Sequence, residues 1–436
     1  MGTLIKGATL VELEPAAVEQ GDLRVDGGRI VGRGVELEAH AGDEVISLPG
    51  RLILPGLVSA NHRLSATALR GRRPAVGVAR ASLDSLEDAL GPDDLEATAA
   101  AGGLEGLRSG TTTVFSLHGA TKHSSGLLDR VARGVAGAGL RAVLACEVSD
   151  RASAVARESA LEECVGFIQR AKGRLRGALG VGHLATLSDD ALAGLASARV
   201  ASTEALLLVS VGRDSAEEAK SMERFDKGPV DRLVAHGLLD PRAALSPSIH
   251  LSWPTLSQLL SLGPWMVHTA RSNMASQVGL ATPVKFGVRG CFGTDVMTLD
   301  VLSEAQAAAL RSLDSGQPLD VLRFLANGQR LASEAFGLPI GPLREGAAAD
   351  LVIYDYHPPA PLDPSTLAAH VLFGLSSRDV ESVMIDGMWR LWKRKPLAVD
   401  SVEVMQAARE ATRGAWQRMG ASPPDIPVAP NPPEWG

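Results

Sequence analysis

The sequence predicts an α/β protein in which a long parallel-sheet unit is flanked at both chain ends by short antiparallel strands. Three observations predict it. Helical stretches alternate with short β-rich runs through the middle of the chain, both ends carry strands punctuated by Gly and Asp turns, and 436 residues accommodate one large α/β unit plus a smaller domain. Hydrophobic residues make up 45% of the chain and charged residues 21%, with 46 glycines and 25 prolines, which excludes disorder and collagen-like structure and allows a large core.

Residues 1–57 alternate apolar runs with turns: TLIKGATLVEL, then GDLRVDGGRIVGRG with its Asp26-Gly27-Gly28 turn, then EVISLPGRLILPG, which predicts a small antiparallel sheet. From residue 92 a helical stretch, DDLEATAAAGGLEGLRSG, leads into the strand-like TTTVFSLH. The pairing recurs at RVARGVAGAGL with RAVLACEV, and at VDRLVAHGLLD with RAALSPSIHL. Across residues 58–345 this suits a parallel sheet, either doubly wound or closed into an eight-stranded barrel with its chemistry at the carboxyl ends of the strands. After residue 345 short strands return in GAAADLVIYDY and VESVMIDGMWRLWKRKPLAV, with a hairpin signal at Asp386-Gly387. Residues 346–400 are therefore expected to pair with residues 1–57 as one discontinuous β-sandwich. Residues 401–420 place Val402, Met405, Ala408, Trp416 and Met419 at helical spacing and predict a terminal helix docked by one apolar stripe. Residues 421–436 read as a proline-rich tail.

Several function classes drop out. A net charge of −7 argues against nucleic acid, and the one dense basic cluster, Arg70-Gly71-Arg72-Arg73, is short and reads as solvated surface or a contact for an acidic ligand. Cys146, Cys164 and Cys291 are too far apart for a CxxC zinc site or a disulfide framework, so a reducing compartment is expected and Cys291 reads as a small core residue. The start, MGTLIKGATLVELEP, is not a signal peptide, and no apolar run approaches about 18 residues, so the expectation is a cytoplasmic chain without membrane contact. Neither GxSxG nor GxxxxGK[ST] occurs.

The stretch RLILPGLVSANHRLSATALRG resembles the first barrel strand of the amidohydrolase superfamily, whose motif runs PG(L/F)VxxHxHxxxxxxRG. GTTTVFSLH at 110–118, MVHTARSNMASQVGLATP at 266–283, GCFGTDVM at 290–297, and EGAAADLVIYDYHPPAPL with HVLFGLSSRDVESVMIDG extend the similarity nearly end to end. They are most similar to SsnA-type aminohydrolases of the chlorohydrolase and deaminase branch. The resemblance implies a (β/α)8 TIM-like barrel with a flanking β-sandwich, a metal-dependent hydrolase ancestry, and a homo-oligomer.

Carried across residue by residue, the resemblance fails at the chemistry. The two histidines that hold the family's divalent metal, which lowers the pKa of a bound water to about 7, correspond here to Asn61 and Arg63. His62 lies between them, and strand alternation turns it to the opposite face. The third ligand and the glutamate base correspond to Ser210 and Arg213, and the fourth ligand to Pro247. Serine is a poor ligand, and arginine cannot take a proton from water. Gly182 stands where a substrate-side histidine is expected, with His183 beside it. Asp295 in Gly293-Thr294-Asp295 remains, matching the family's strand-eight carboxylate. It reads either as part of a stable strand-end turn or as a carboxylate whose charge Arg63 and Arg213 compensate in place of a metal. His268 and Arg271-Ser272-Asn273 match a substrate-facing family stretch and either line a cleft or support the turn.

Two functional expectations follow. In the first, the chain is a catalytically inactive pseudo-hydrolase with no cofactor, binding a small-molecule ligand through His62, Arg63, Arg213, His250, His268 and Asp295, and working as a homodimer or beside a catalytically competent partner protein. In the second, it is an active hydrolase of non-peptide C–N bonds, with zinc or iron held in a rearranged site built from His62, His250, His268 and Asp295. A third reading gives the sandwich or the tail an interaction role.

Overall fold

Eight short, buried, β-branched-rich segments recur in chain order, and each pairs in parallel with the next: Leu57–His62, Thr111–His118, Arg141–Val148, Leu175–Val181, Leu206–Val211, Ala243–Pro247, Trp265–His268 and Gly290–Phe292. The computed structural model describes residues 2–71, 80–119, 124–202, 205–279 and 281–420. The second and third strands are buried at every position, as strands covered on both faces must be. Of the two sheets that the sequence allows, the barrel is the one formed. It closes where the eighth strand meets the first: the Thr294 and Asp295 N–H groups both donate to the Asn61 carbonyl, at 2.8 and 2.9 Å, and the Arg63 N–H donates to the Asp295 carbonyl at 2.9 Å. The closing contact thus fixes the candidate carboxylate beside the candidate ligand strand.

The crossover helices start where the sequence supplies an oxygen cap. Ser153, Ser188, Ser252, Asp300 and Asp320 each accept a hydrogen bond from the first turn of the helix that follows.

The two chain ends share one nine-stranded sheet. Leu52–Pro55 pairs in parallel with Thr3–Leu13 on one side and antiparallel with Leu351–Tyr354 on the other, with Ile53 opposite Ile353. The expected discontinuous domain therefore takes the form of a single continuous sheet, with its own core of Ile5, Leu10, Leu23, Ile30, Ile53, Leu351, Ile353 and Met384. Its strand runs end at Pro55 and resume at Leu351.

A buried ion pair fastens barrel to sheet. Arg141, at the start of the third barrel strand, reaches Asp350 through Nε at 2.7 Å and Nη2 at 3.1 Å, and Asp386 through Nη2 at 2.9 Å. The Arg141 and Asp350 side chains are 2% and 0% exposed.

The terminal helix, Ser401–Arg418, is capped by Asp400 and packs against the helix Pro92–Arg108. Its contact stripe differs from the expected one: Ala408, Ala411 and Ala415 are buried, whereas Val402 is 72% exposed. The partner helix is rich in Ala and Gly, so two small-residue faces approach closely and the larger apolar residues fall to the margin. Trp416 at that margin donates its indole N–H to the Ala68 carbonyl at 2.8 Å. The proline-rich tail and Arg72 and Arg73 lie outside the described residues. No helix among the described residues is long and apolar enough to cross a membrane.

Candidate functional site

Strand alternation turns Asn61 and Arg63 into the barrel mouth. There they line, with Leu117, Ser210, Arg213, Ser246, Val267 and Asp295, an enclosed cavity of about 10 Å³. That is about the space of one water molecule. An outer cleft of about 190 Å³, lined by His183, Leu184, Ala185, Thr186, Ser210, Arg213, Asp214, Glu217 and Lys220, shares Ser210 and Arg213 with it.

Asp295 anchors the inner cavity. Its Oδ2 accepts from Arg213 Nη2 at 2.7 Å and from Ser272 Oγ at 2.6 Å. Burial pushes this carboxyl up, but the Arg213 guanidinium, the two hydrogen bonds and the nearby Arg63 outweigh burial and hold it far below the usual carboxylate range. It is a fixed anion at every ordinary pH. Opposite, Asn61 Nδ2 donates to Ser246 Oγ at 3.2 Å, linking strands one and six. Strand six contributes Ala244 and Ser246 to the cavity lining, and Pro247 ends that strand.

Arg63 belongs to a second cluster. Its Nη2 meets Glu147 Oε2 at 2.8 Å and its Nη1 meets Glu87 Oε1 at 3.3 Å, with all three side chains at most 3% exposed. Glu147 stands at the end of strand three and fills the space beside Gly182. A Cβ built on Gly182 would lie 1.8 Å from Glu147 Cδ. The loss of a side chain at residue 182 and the burial of a carboxylate at residue 147 are thus one steric exchange. His183, in the left-handed region at φ 50°, turns its Nε2 toward Asp84 at 3.2 Å and Glu147 at 3.4 Å.

Of the other residues singled out in the sequence, His62 points away from the mouth, its Nδ1 sharing a hydrogen bond with Thr294 Oγ1 at 2.8 Å. Burial, with Arg70 nearby, drives its pKa down to about 3, so the ring is neutral. His268 is also turned outward, edge-on to Phe286 with centroids 6.1 Å apart, and burial lowers its pKa to about 4. His250 is exposed and bonds the Val278 carbonyl at 2.5 Å. None of the three histidines lines either cavity, so the arrangement of His62, His250, His268 and Asp295 around one ion is not what the structure forms. From the seventh-strand stretch Val267 lines the inner cavity and Ser272 bonds Asp295; Arg271 pairs with Glu304 at 2.7 Å, and Asn273 accepts from Thr269 Oγ1 at 3.0 Å. Cys291 is buried in the core, and burial pushes its thiol well up.

Glu87 and Glu147 beside Arg63, and Glu217 in the outer cleft, carry no motif in the sequence. Glu147 sits in a strand, ACEV, where its burial reflects the missing side chain at residue 182. Glu217 lies four residues beyond Arg213 in GRDSAEE and lines the outer cleft, its Oε2 accepting from the Gly212 N–H at 2.7 Å. Burial pushes its carboxyl up to about 7, against the pull of the Gly212 and Arg213 N–H groups. Its signal was a carboxylate at the start of a helix that follows a strand end.

A model of the amidohydrolase family matches residues 52–390, through the barrel and into the shared sheet on both sides. The chain belongs to the amidohydrolase family. Relatives of this amidohydrolase include a 5'-deoxyadenosine deaminase of Methanosarcina mazei, 27% identical over 431 residues and covering 94% of this chain and 97% of the relative. A 5-methylthioadenosine/S-adenosylhomocysteine deaminase of Desulforudis audaxviator is 29% identical over 424 residues, covering 90% and 94%. Among solved structures, an adenosine deaminase from Xanthomonas campestris with bound zinc superposes with a TM-score of 0.84 at 22% identity, covering 95% of this chain and 98% of that one. An atrazine chlorohydrolase from Arthrobacter aurescens complexed with zinc gives 0.84 at 22% identity, covering 94% and 100%. The family, with relatives named as deaminases over nine tenths of the chain and zinc in two structural neighbours, overturns the expectations of an inactive chain and of no cofactor.

Proposed function

We propose that this amidohydrolase is an active hydrolase of a non-peptide C–N bond, releasing ammonia from an aminated heterocycle of the adenine-nucleoside kind. The observation that carries the reading is the two-compartment mouth. A cleft for a ligand adjoins a cavity the size of one water, and the two meet at Ser210 and Arg213 beside a fixed anion, Asp295. Hydrolysis needs this juxtaposition of an organic ligand, a water and charged groups sheltered from solvent. The relatives named as deaminases of 5'-deoxyadenosine and of 5-methylthioadenosine/S-adenosylhomocysteine support the substrate class.

A divalent metal belongs to this reading, because zinc accompanies two structural neighbours. The side chains at the strand ends do not fit it in the family's way. No three His, Cys, Asp or Glu side chains among the described residues are grouped to hold an ion, and the Arg213 guanidinium is already paired with Asp295. The chemistry assigned to the chain therefore rests on its own side chains. Arg213 and Ser272 fix Asp295, Arg63 pairs with Glu147 and Glu87 behind it, and the cleft orients the ligand.

The test is ammonia release by the purified chain from adenosine, 5'-deoxyadenosine and 5-methylthioadenosine, with zinc, iron and manganese each supplied. Sustained release from at least one supports the reading. No release from any of them, with any metal, contradicts it.

A further inference from the structure

We infer that Glu217 is the group that carries the proton between water and the leaving nitrogen. The inference deepens the hydrolase reading and rests on it. The position that corresponds to the family's base holds Arg213, which has no proton-accepting form. Two carboxylates line the same cleft as Arg213, Asp214 and Glu217. Asp214 is paired with Lys220 at 2.7 Å and accepts from the Ala216 N–H at 2.9 Å, so the cleft carboxylate that remains for the role is Glu217. Its carboxyl is held by the Gly212 N–H, so one oxygen is anchored by backbone that moves only with the end of strand five. Asp295 is a poor substitute, because Arg213 and Ser272 already bond the same oxygen and keep it ionised.

The step balances without a co-reactant other than water. The water oxygen bonds to the ring carbon that bears the amino group, and its proton passes to the Glu217 carboxylate. Glu217 then gives that proton to the amino nitrogen, the C–N bond breaks, ammonia leaves, and the carboxylate is restored. A carboxyl that titrates near neutrality suits both halves of this transfer. Asp214 and Glu218 on its own segment raise its affinity for the proton. Arg213, Lys220 and His183 line the cleft with it and act in the opposite sense wherever they are charged.

The test compares the full-length wild type with E217Q and E217D, using the same adenine nucleosides. Glutamine keeps an oxygen for the Gly212 N–H, so the loop is expected to hold its shape. For the wild type, kcat/KM should fall as pH drops below about 7, E217Q should lose about 100-fold or more in kcat, and E217D should retain part of the rate with a moved acidic limb. A second readout needs no turnover. A carboxyl raised in the folded state binds more protons than in the unfolded chain between its two pKa values, so its stabilising effect is lost as pH rises from about 4.5 through 7. The melting temperature of E217Q should therefore fall less over that window than that of the wild type. Wild-type release that survives E217Q, or melting curves that run parallel, overturns this inference alone. A wild type without turnover overturns the hydrolase reading and this inference with it.

Discussion

Replacing Gly182 by alanine should cost about 3 kcal/mol of stability, although a methyl group is all that is added. Glycine's backbone freedom is not the reason, since residue 182 does not lie in the left-handed region. The methyl carbon would fall 1.8 Å from Glu147 Cδ and 1.9 Å from its Oε1. Glu147 would have to leave, and with it the closer of the two carboxylates on Arg63, at 2.8 Å. Both groups are nearly inaccessible, so an abandoned guanidinium cannot recover its hydration. A double-mutant cycle separates this cause from a general packing effect. E147A alone should cost about as much as G182A, and G182A added to E147A should cost less than about 1 kcal/mol more, because the clash has lost its partner. Urea unfolding of the four proteins measures it. A G182A variant as stable as wild type would show that the Glu147 pocket is loose.

The second large effect is expected where barrel meets sheet. Asp350→Ala leaves buried Arg141 with Asp386 as its carboxylate partner among the described residues, a side chain 42% exposed, and should cost about 3–5 kcal/mol. Replacing both partners, as R141M with D350L, should return stability to within about 1 kcal/mol of wild type, because a desolvated ion pair contributes little beyond a well-packed apolar pair. The two carboxylates also explain why Arg141 keeps its charge. Desolvation lowers its pKa, but Asp350, then Asp386, raise it by more. If D350A unfolds at the wild-type urea midpoint, the pair is not what holds the two parts together.

Much of this fold was legible because its signals are local. The alternation of helical and β-rich runs marks the barrel units, and the strand grammar at both ends marks the shared sheet. Parity along a single strand was enough to turn Asn61 and Arg63 inward and His62 outward, and the compensation of Asp295 by an arginine was drawn from charge alone. Arg213 lies 2.7 Å from Asp295, while Arg63 serves Glu147 and Glu87 directly. What escaped reading was relational. The exchange between Gly182 and Glu147 joins the ends of two strands and has no spacing signature. The terminal helix was read from its largest apolar residues, whereas its real contact is an alanine face whose partner helix is about 300 residues away in sequence. The expectation of inactivity followed from ligand positions alone, and the company the whole chain keeps overturned it.

The central claim is that hydrolysis occurs at the described mouth. The most direct test is ammonia release from the adenine nucleosides by wild type and by Ser210→Trp, with bound metal quantified in both. Ser210 borders both compartments, so an indole there fills the cleft and the water-sized cavity together. Sustained release by the wild type, falling more than about 100-fold in a folded Ser210→Trp variant of equal metal content, is the expected result. Release that Ser210→Trp leaves unchanged would place the chemistry elsewhere, and absence of release from the metal-loaded wild type would contradict the account.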